Sequence, residues 1–126
     1  MFSHIMVGAN DLKKSKVFYD AILNVLGYPE GVFDDKNRCF YLSPGGVFAI
    51  TAPINGEAAT PGNGMTIGFK VDSPELVNAW HEAGLGNGGS TCEDPPGVRV
   101  SGERKLYLGY LRDPSGNKIC ATHYMA

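Results

Sequence analysis

Arg112-Asp113-Pro114-Ser115-Gly116-Asn117-Lys118-Ile119-Cys120-Ala121 is the stretch that decides how this chain is read. Asp-Pro-Ser-Gly is turn chemistry: proline presets φ at the second turn position and glycine accepts a positive φ after it. The extended run Leu106–Leu111 precedes the turn and Lys118 to Tyr124 follows it, so the segment reads as a β-hairpin. The same arrangement occurs upstream in Pro44-Gly45-Gly46-Val47-Phe48-Ala49-Ile50. Pro44, Gly46 and Ile50 stand 70 residues before Pro114, Gly116 and Cys120. A second echo joins His4-Ile5-Met6-Val7-Gly8-Ala9-Asn10-Asp11 to Thr66-Ile67-Gly68-Phe69-Lys70-Val71-Asp72-Ser73 at a separation of 62. Each half therefore runs strand, helix, then strands that end in a Pro-x-Gly hairpin. An internal duplication of this kind sets the architecture.

Taken in order, residues 1–52 form the first half, 53–63 a linker rich in Pro, Gly and Asn, and 64–126 the second half. Phe2 to Val7 reads as a strand. Asn10 or Asp11 caps a helix whose apolar residues Leu12, Phe18, Tyr19, Ile22, Leu23 and Leu26 recur near helical period, and Gly27 stops it. Three short strands follow, near Gly31–Asp34, Arg38–Leu42 and Val47–Thr51. The second half opens with a strand over Met65–Val71. Ser73-Pro74-Glu75 then starts a helix carrying Leu76, Val77, Trp80 and Ala83, with Gly84 as its expected end. A weak strand covers Ser90–Cys92, and Pro95-Pro96-Gly97 breaks it.

Side chains alternate across a strand. Ile119, Ala121 and His123 share one face of the last strand; Lys118, Cys120 and Thr122 share the other. Ile67, Phe69 and Val71 oppose Thr66, Gly68 and Lys70 in the same way. The more apolar set is expected beneath the helices, leaving the mixed set on a face free to hold a ligand.

Composition narrows the classes. The 126 residues suffice for one domain with a real core. A net charge of −2 lacks the basic footprint of a nucleic-acid binder. No apolar run approaches the length of a membrane span. Three cysteines with no CxxC spacing and no signal peptide suggest reduced thiols and a cytoplasmic location.

The chain resembles the vicinal-oxygen-chelate superfamily of glyoxalase I, bleomycin and fosfomycin resistance proteins and extradiol dioxygenases. The resemblance is carried by Phe2-Ser3-His4-Ile5, Asn10-Asp11-Leu12 with Ser15 and Phe18-Tyr19, Leu26-Gly27-Tyr28, and Tyr110 through Ile119. It implies an α+β fold of paired βαβββ modules forming a curved mixed-sheet cup, often completed by a homodimer. It also implies that His4, Ile50, Thr66 and Cys120 occupy the positions that hold a divalent metal in metal-using members. Isoleucine has no donor atom and threonine is a poor neutral ligand, so no metal cofactor is expected. The pocket is expected to gather His4, Met6, Phe48, Ile50, Thr66, Lys118 and Cys120 around a small organic molecule. His4 is the candidate acid or base, against simple packing near the terminus. Cys120 is either a small buried hydrophobe or a nucleophile. Lys118 either meets an anionic ligand or lies along the rim. Of Tyr107 and Tyr110, at most one faces the cup. Three functions stay open: a metal-free enzyme, a protein that sequesters a small toxic compound, and a relic that only dimerises. A metal-dependent glyoxalase-like lyase or dioxygenase is the alternative.

Overall fold

The computed structural model describes residues 1–126. The elements are β1 (His4–Gly8), α1 (Leu12–Val25), β2 (Val32–Phe33), β3 (Arg38–Ser43), β4 (Gly46–Thr51), β5 (Ile67–Lys70), α2 (Pro74–Leu85), β6 (Ser90–Thr91), β7 (Gly97–Ser101), β8 (Arg104–Arg112) and β9 (Lys118–Tyr124). Local chemistry accounts for both helix starts. The Asp11 carboxylate accepts from the Lys14 N–H at the head of α1, and Ser73 Oγ accepts from the Leu76 N–H at the head of α2. Gly27, at φ 91°, leaves α1 in the left-handed region that a side chain disfavours.

The strands form two mixed sheets. The first has the order β1-β4-β3-β2, with β1 and β4 parallel. The second has the order β5-β9-β8, with β5 and β9 parallel and β6 and β7 both paired to β8. β6 sits at the C-terminal end of β8 and β7 at its N-terminal end, so together they fill one strand position. The Pro95-Pro96 break expected from sequence is real, but a second strand, β7, follows it. Each module is thus βαβββ, and residues 52–66 between them hold neither helix nor strand.

Strand registers correct the sequence echo by one residue. Ile5 pairs with Phe48, and Ile67 pairs with Ile119. The isoleucines are 62 residues apart, as the echo requires, whereas Phe48 and Ile119 are 71 apart. The difference arises in the hairpin. Ser43 pairs with Gly46 across two residues, while Asp113 donates to the Asn117 carbonyl across three. Past that turn Cys120 corresponds to Ala49 rather than Ile50. Because strand side chains alternate, a slip of one moves a residue to the opposite face.

The helix-facing sides of both sheets join one core. Phe18, Tyr19, Ile22 and Leu23 of α1 pack with Tyr41, Phe48 and Ile50, and Val77 and Trp80 of α2 pack with Leu111, Ile119 and Ala121. The Phe48 and Phe69 rings link the two groups, edge to face with centroids 5.3 Å apart. Gly84 does not end α2, as expected from sequence; it lies buried inside the helix. A Cβ there would fall 2.3 Å from Leu111 Cδ1 and 3.2 Å from Phe18 Cε1. Its missing side chain allows α1, α2 and β8 to approach.

A polar clasp crosses the same junction. Tyr19 Oη donates to Asp113 Oδ2 at 2.6 Å, and Asn117 Nδ2 donates both to Asp113 Oδ2 and to the Gly8 carbonyl. Burial and the Asp113 carboxylate together hold the Tyr19 hydroxyl well above its ordinary pKa. Tyr19→Phe removes a buried bond to a charged acceptor and should lower stability by about 1.5–3 kcal/mol, read from urea unfolding midpoints. Gly84→Ala should also destabilise. Overpacking costs about 1–3 kcal/mol, which outweighs the gain of roughly 1 kcal/mol in helix propensity. Thermal unfolding of the two variants checks both.

Candidate functional site

The faces turned away from the helices are where the sheets are free. On the first sheet this face carries His4, Met6, Phe40, Leu42, Val47 and Ala49, which share register positions across β1, β4 and β3. Of its apolar members Leu42 at 58%, Met6 at 36% and, beside Phe40 on β2, Val32 at 62% are exposed, whereas Ala49 is buried. On the second sheet the corresponding face carries Lys118, Cys120 and Thr122 of β9, Tyr110 and Arg112 of β8, and Lys70 of β5.

Two cavities adjoin the sheets, the first walled mainly from the helix side and the second beside the free face of the second sheet. One, of about 350 Å³, lies at the His4 end of the first sheet and is lined by Ile5, Leu23, Tyr28, Phe48 and Phe69 as well as His4. The other, of about 540 Å³, is polar. It is bounded by the linker residues Pro61–Met65, Thr66, Arg112, Gly116 and Lys118.

The seven predicted pocket residues therefore do not converge in a single chain. His4 and Phe48 share the first cavity, and Thr66 and Lys118 share the second. Met6 and Cys120 lie on the free faces of different sheets. Ile50 is fully buried on the helix side, as the one-residue slip dictates, and cannot line a cup with His4. Phe48 belongs to the aromatic core against Tyr19, 4.8 Å between centroids, and reaches the cavity from the helix side. Tyr110 is the tyrosine on the free face, whereas Tyr107 points to α2 and donates to Asn78 Oδ1.

His4 is exposed, with its Nδ1 2.8 Å from Ser3 Oγ, which leaves Nε2 unengaged by protein. Lys118 pairs with Glu93 and lies 5.0 Å from the centroid of the Tyr110 ring. The Glu93 bond raises the Lys118 pKa. Glu93 escaped the sequence reading. It sits in the β6–β7 connection at φ 57°, a left-handed conformation uncommon for a non-glycine residue, and no sequence pattern marks it. Arg112 braces the turn by donating to the Gly116 carbonyl at 2.8 Å, and also lines the polar recess.

The metal positions of the resemblance, in corrected register, hold His4, Ala49, Thr66 and Cys120. Two methyl-bearing side chains with at most one hydroxyl leave a single imidazole and a single thiol as donors. No three His, Cys, Asp or Glu groups come together elsewhere. This donor set does not fit a divalent ion, which needs several converging N, O or S ligands. Cys120 is buried, its Sγ 3.5 Å from Thr122 Oγ1, and burial pushes its thiol above the ordinary range. The buried Cys39 thiol is raised for the same reason. Titration with a disulfide reagent near neutral pH should modify half-buried Cys92 first. Cys39 and Cys120 should react only after denaturant is added. Rapid modification of Cys120 in the folded protein would contradict its description as a packing residue.

Two helices over two four-position mixed sheets, in tandem βαβββ order, define a duplicated α+β protein. The Glyoxalase/Bleomycin resistance protein/Dioxygenase superfamily model matches residues 1–121, and the chain belongs to that superfamily. A glyoxalase/bleomycin resistance protein from Albidiferax ferrireducens T118 is 61% identical, with 98% of each chain covered and a TM-score of 0.95. A glyoxalase-related enzyme from Fulvimarina pelagi is 24% identical over 98% of this chain and 87% of that one, TM-score 0.74. A glyoxalase/bleomycin resistance protein/dioxygenase family enzyme from Burkholderia phytofirmans PsJN is 16% identical over 98% of both, TM-score 0.74. The last two share the fold alone. No functionally curated protein matches the sequence. No helix is long and apolar enough to cross a membrane.

Proposed function

We propose that this protein binds a small organic molecule between the free sheet faces of two copies, and does so without a divalent metal. The observation that carries the reading is the bare apolar face of the first sheet. Met6, Val32 and Leu42 are its exposed members. Antiparallel sheets tolerate one wet face when that face is polar; a contiguous apolar one favours a partner. A second copy placed with its polar second-sheet face opposite would enclose His4, Met6 and Leu42 together with Tyr110, Lys118 and Cys120. This gathers His4, Met6, Lys118 and Cys120 of the expected cup from two chains, and leaves Phe48 and Ile50 outside it. The donor chemistry at His4, Ala49, Thr66 and Cys120 supports binding without a metal.

The reading gives three measurements. Light scattering at micromolar concentration should return the mass of a dimer. Leu42→Glu, which places a charge on the apolar face, should return a monomer with an unchanged circular dichroism spectrum. Elemental analysis of protein purified without chelators should find well under one equivalent of zinc, nickel, iron or manganese. A wild-type monomer or a stoichiometric metal with His4 among its ligands would overturn the proposal.

Catalysis by His4 is the second reading, favoured by its free Nε2 beside the 350 Å³ cavity. An imidazole so placed suits proton transfer to or from a bound ligand. His4→Gln should then abolish turnover of any substrate found while leaving its affinity within about threefold.

A further inference from the structure

The free face of the second sheet has a charge pattern that the net charge of the whole chain conceals. Lys70, Arg99, Arg104, Arg112 and Lys118 all occupy register positions on that face. These are five of the eleven Lys and Arg residues in a chain whose net charge is −2. No acidic residue occupies that face on any of β5 to β9. The nearest balancing carboxylate arrives from outside the sheet: Glu93, in its left-handed conformation, reaches over to Lys118.

Lys118 and Arg112 then line the recess of about 540 Å³, and no Asp or Glu lines it with them. The remaining wall is Thr66, the linker residues Pro61–Met65 with Gly62 and Gly64 among them, and Gly116, whose N–H already donates to the Asp113 carbonyl. Arg112 uses one guanidinium nitrogen on the Gly116 carbonyl, and the rest of its fork stays available. Lys118 engages only Glu93 among carboxylates. Two cations, the Thr66 side chain and the Gly62 and Gly64 backbone, whose N–H groups donate to no backbone carbonyl, make an arrangement complementary to the planar or tetrahedral oxygens of an oxyanion. The Tyr110 ring beside Lys118 offers a flat surface next to the recess.

We infer that this recess takes the oxyanion head of an organic acid, a carboxylate or phosphonate. The body of the ligand lies over Tyr110 and Cys120, and Glu93 is a resident carboxylate that the ligand displaces from Lys118. The inference rests on the proposed small-molecule function and names the chemical class of its ligand. It also explains why an otherwise unfavourable backbone conformation is kept at Glu93: the conformation delivers a negative charge to a face that has none.

The test compares phenylphosphonate with benzyl alcohol, which keeps the ring and lacks the charge, on the full chain by calorimetry and amide NMR. Phenylphosphonate should bind and shift the Gly64, Thr66 and Gly116 amides, and benzyl alcohol should bind at least about tenfold more weakly. Lys118→Met and Arg112→Gln should each weaken phenylphosphonate binding by about tenfold. Glu93→Gln should strengthen it by removing the competitor. Rising salt should weaken binding in the wild type. Melting curves of the three variants confirm that they are folded. Equal binding of both compounds, unaffected by Lys118→Met, would overturn the oxyanion assignment and leave the small-molecule function standing. Binding of neither compound would overturn the assignment and deprive that function of support.

Discussion

Asp113 is the residue on which the joining of the two modules depends. Its carboxylate accepts from Tyr19 Oη, from the backbone N–H groups of Ser115 and Asn117, and from Asn117 Nδ2. Two of these bonds shape the turn from within. The Tyr19 bond reaches α1 in the other module, and Asn117 passes the connection on to the Gly8 carbonyl of β1. Burying a carboxylate is costly unless its lone pairs are filled. Here the donors come from both halves, so the cost is met only when the halves are docked. The hairpin chemistry of the sequence and the assembly of the fold are thus the same interaction.

Around that clasp the apolar residues sort by strand parity. Every residue that pairs with α1 or α2 is held inside, and its immediate neighbours are turned out. This rule leaves the two sheets with very different free faces. That of the first is apolar, with His4 at one end. That of the second is basic and aromatic, with one carboxylate drawn in from a loop. Neither makes a closed site alone. Their difference is complementary: one offers apolar surface and the other positive charge.

The same parity governs what can be said of chemistry. Cys120 is on a free face but packed beside Thr122 and deprived of water, which disfavours its thiolate. Lys118, two residues away on the same strand, is a cation whose pKa the Glu93 bond raises further.

Much of this was legible in the residues themselves. Asp11, Ser73-Pro74 and Gly27 marked the helix ends because capping is local chemistry. The Pro44 and Pro114 turns marked the hairpins, and the duplication followed from them. The alternation of Ile67 with Gly68 and of Ile119 with Cys120 correctly separated the inner from the outer face. Three features were decided only by tertiary structure. The hairpin of the second module holds one more residue than that of the first, and only strand pairing shows where the extra residue falls, so Ile50 went inward and Ala49 took its place. Gly84 resembled a helix stop, yet the approach of Leu111 and Phe18, distant in sequence, makes it a packing contact. Glu93 carried no signal, because its role comes from a backbone conformation and a lysine 25 residues further on. Local propensities read from sequence see neighbours along the chain; a site assembled across strands depends on register, which a single residue in one turn can shift.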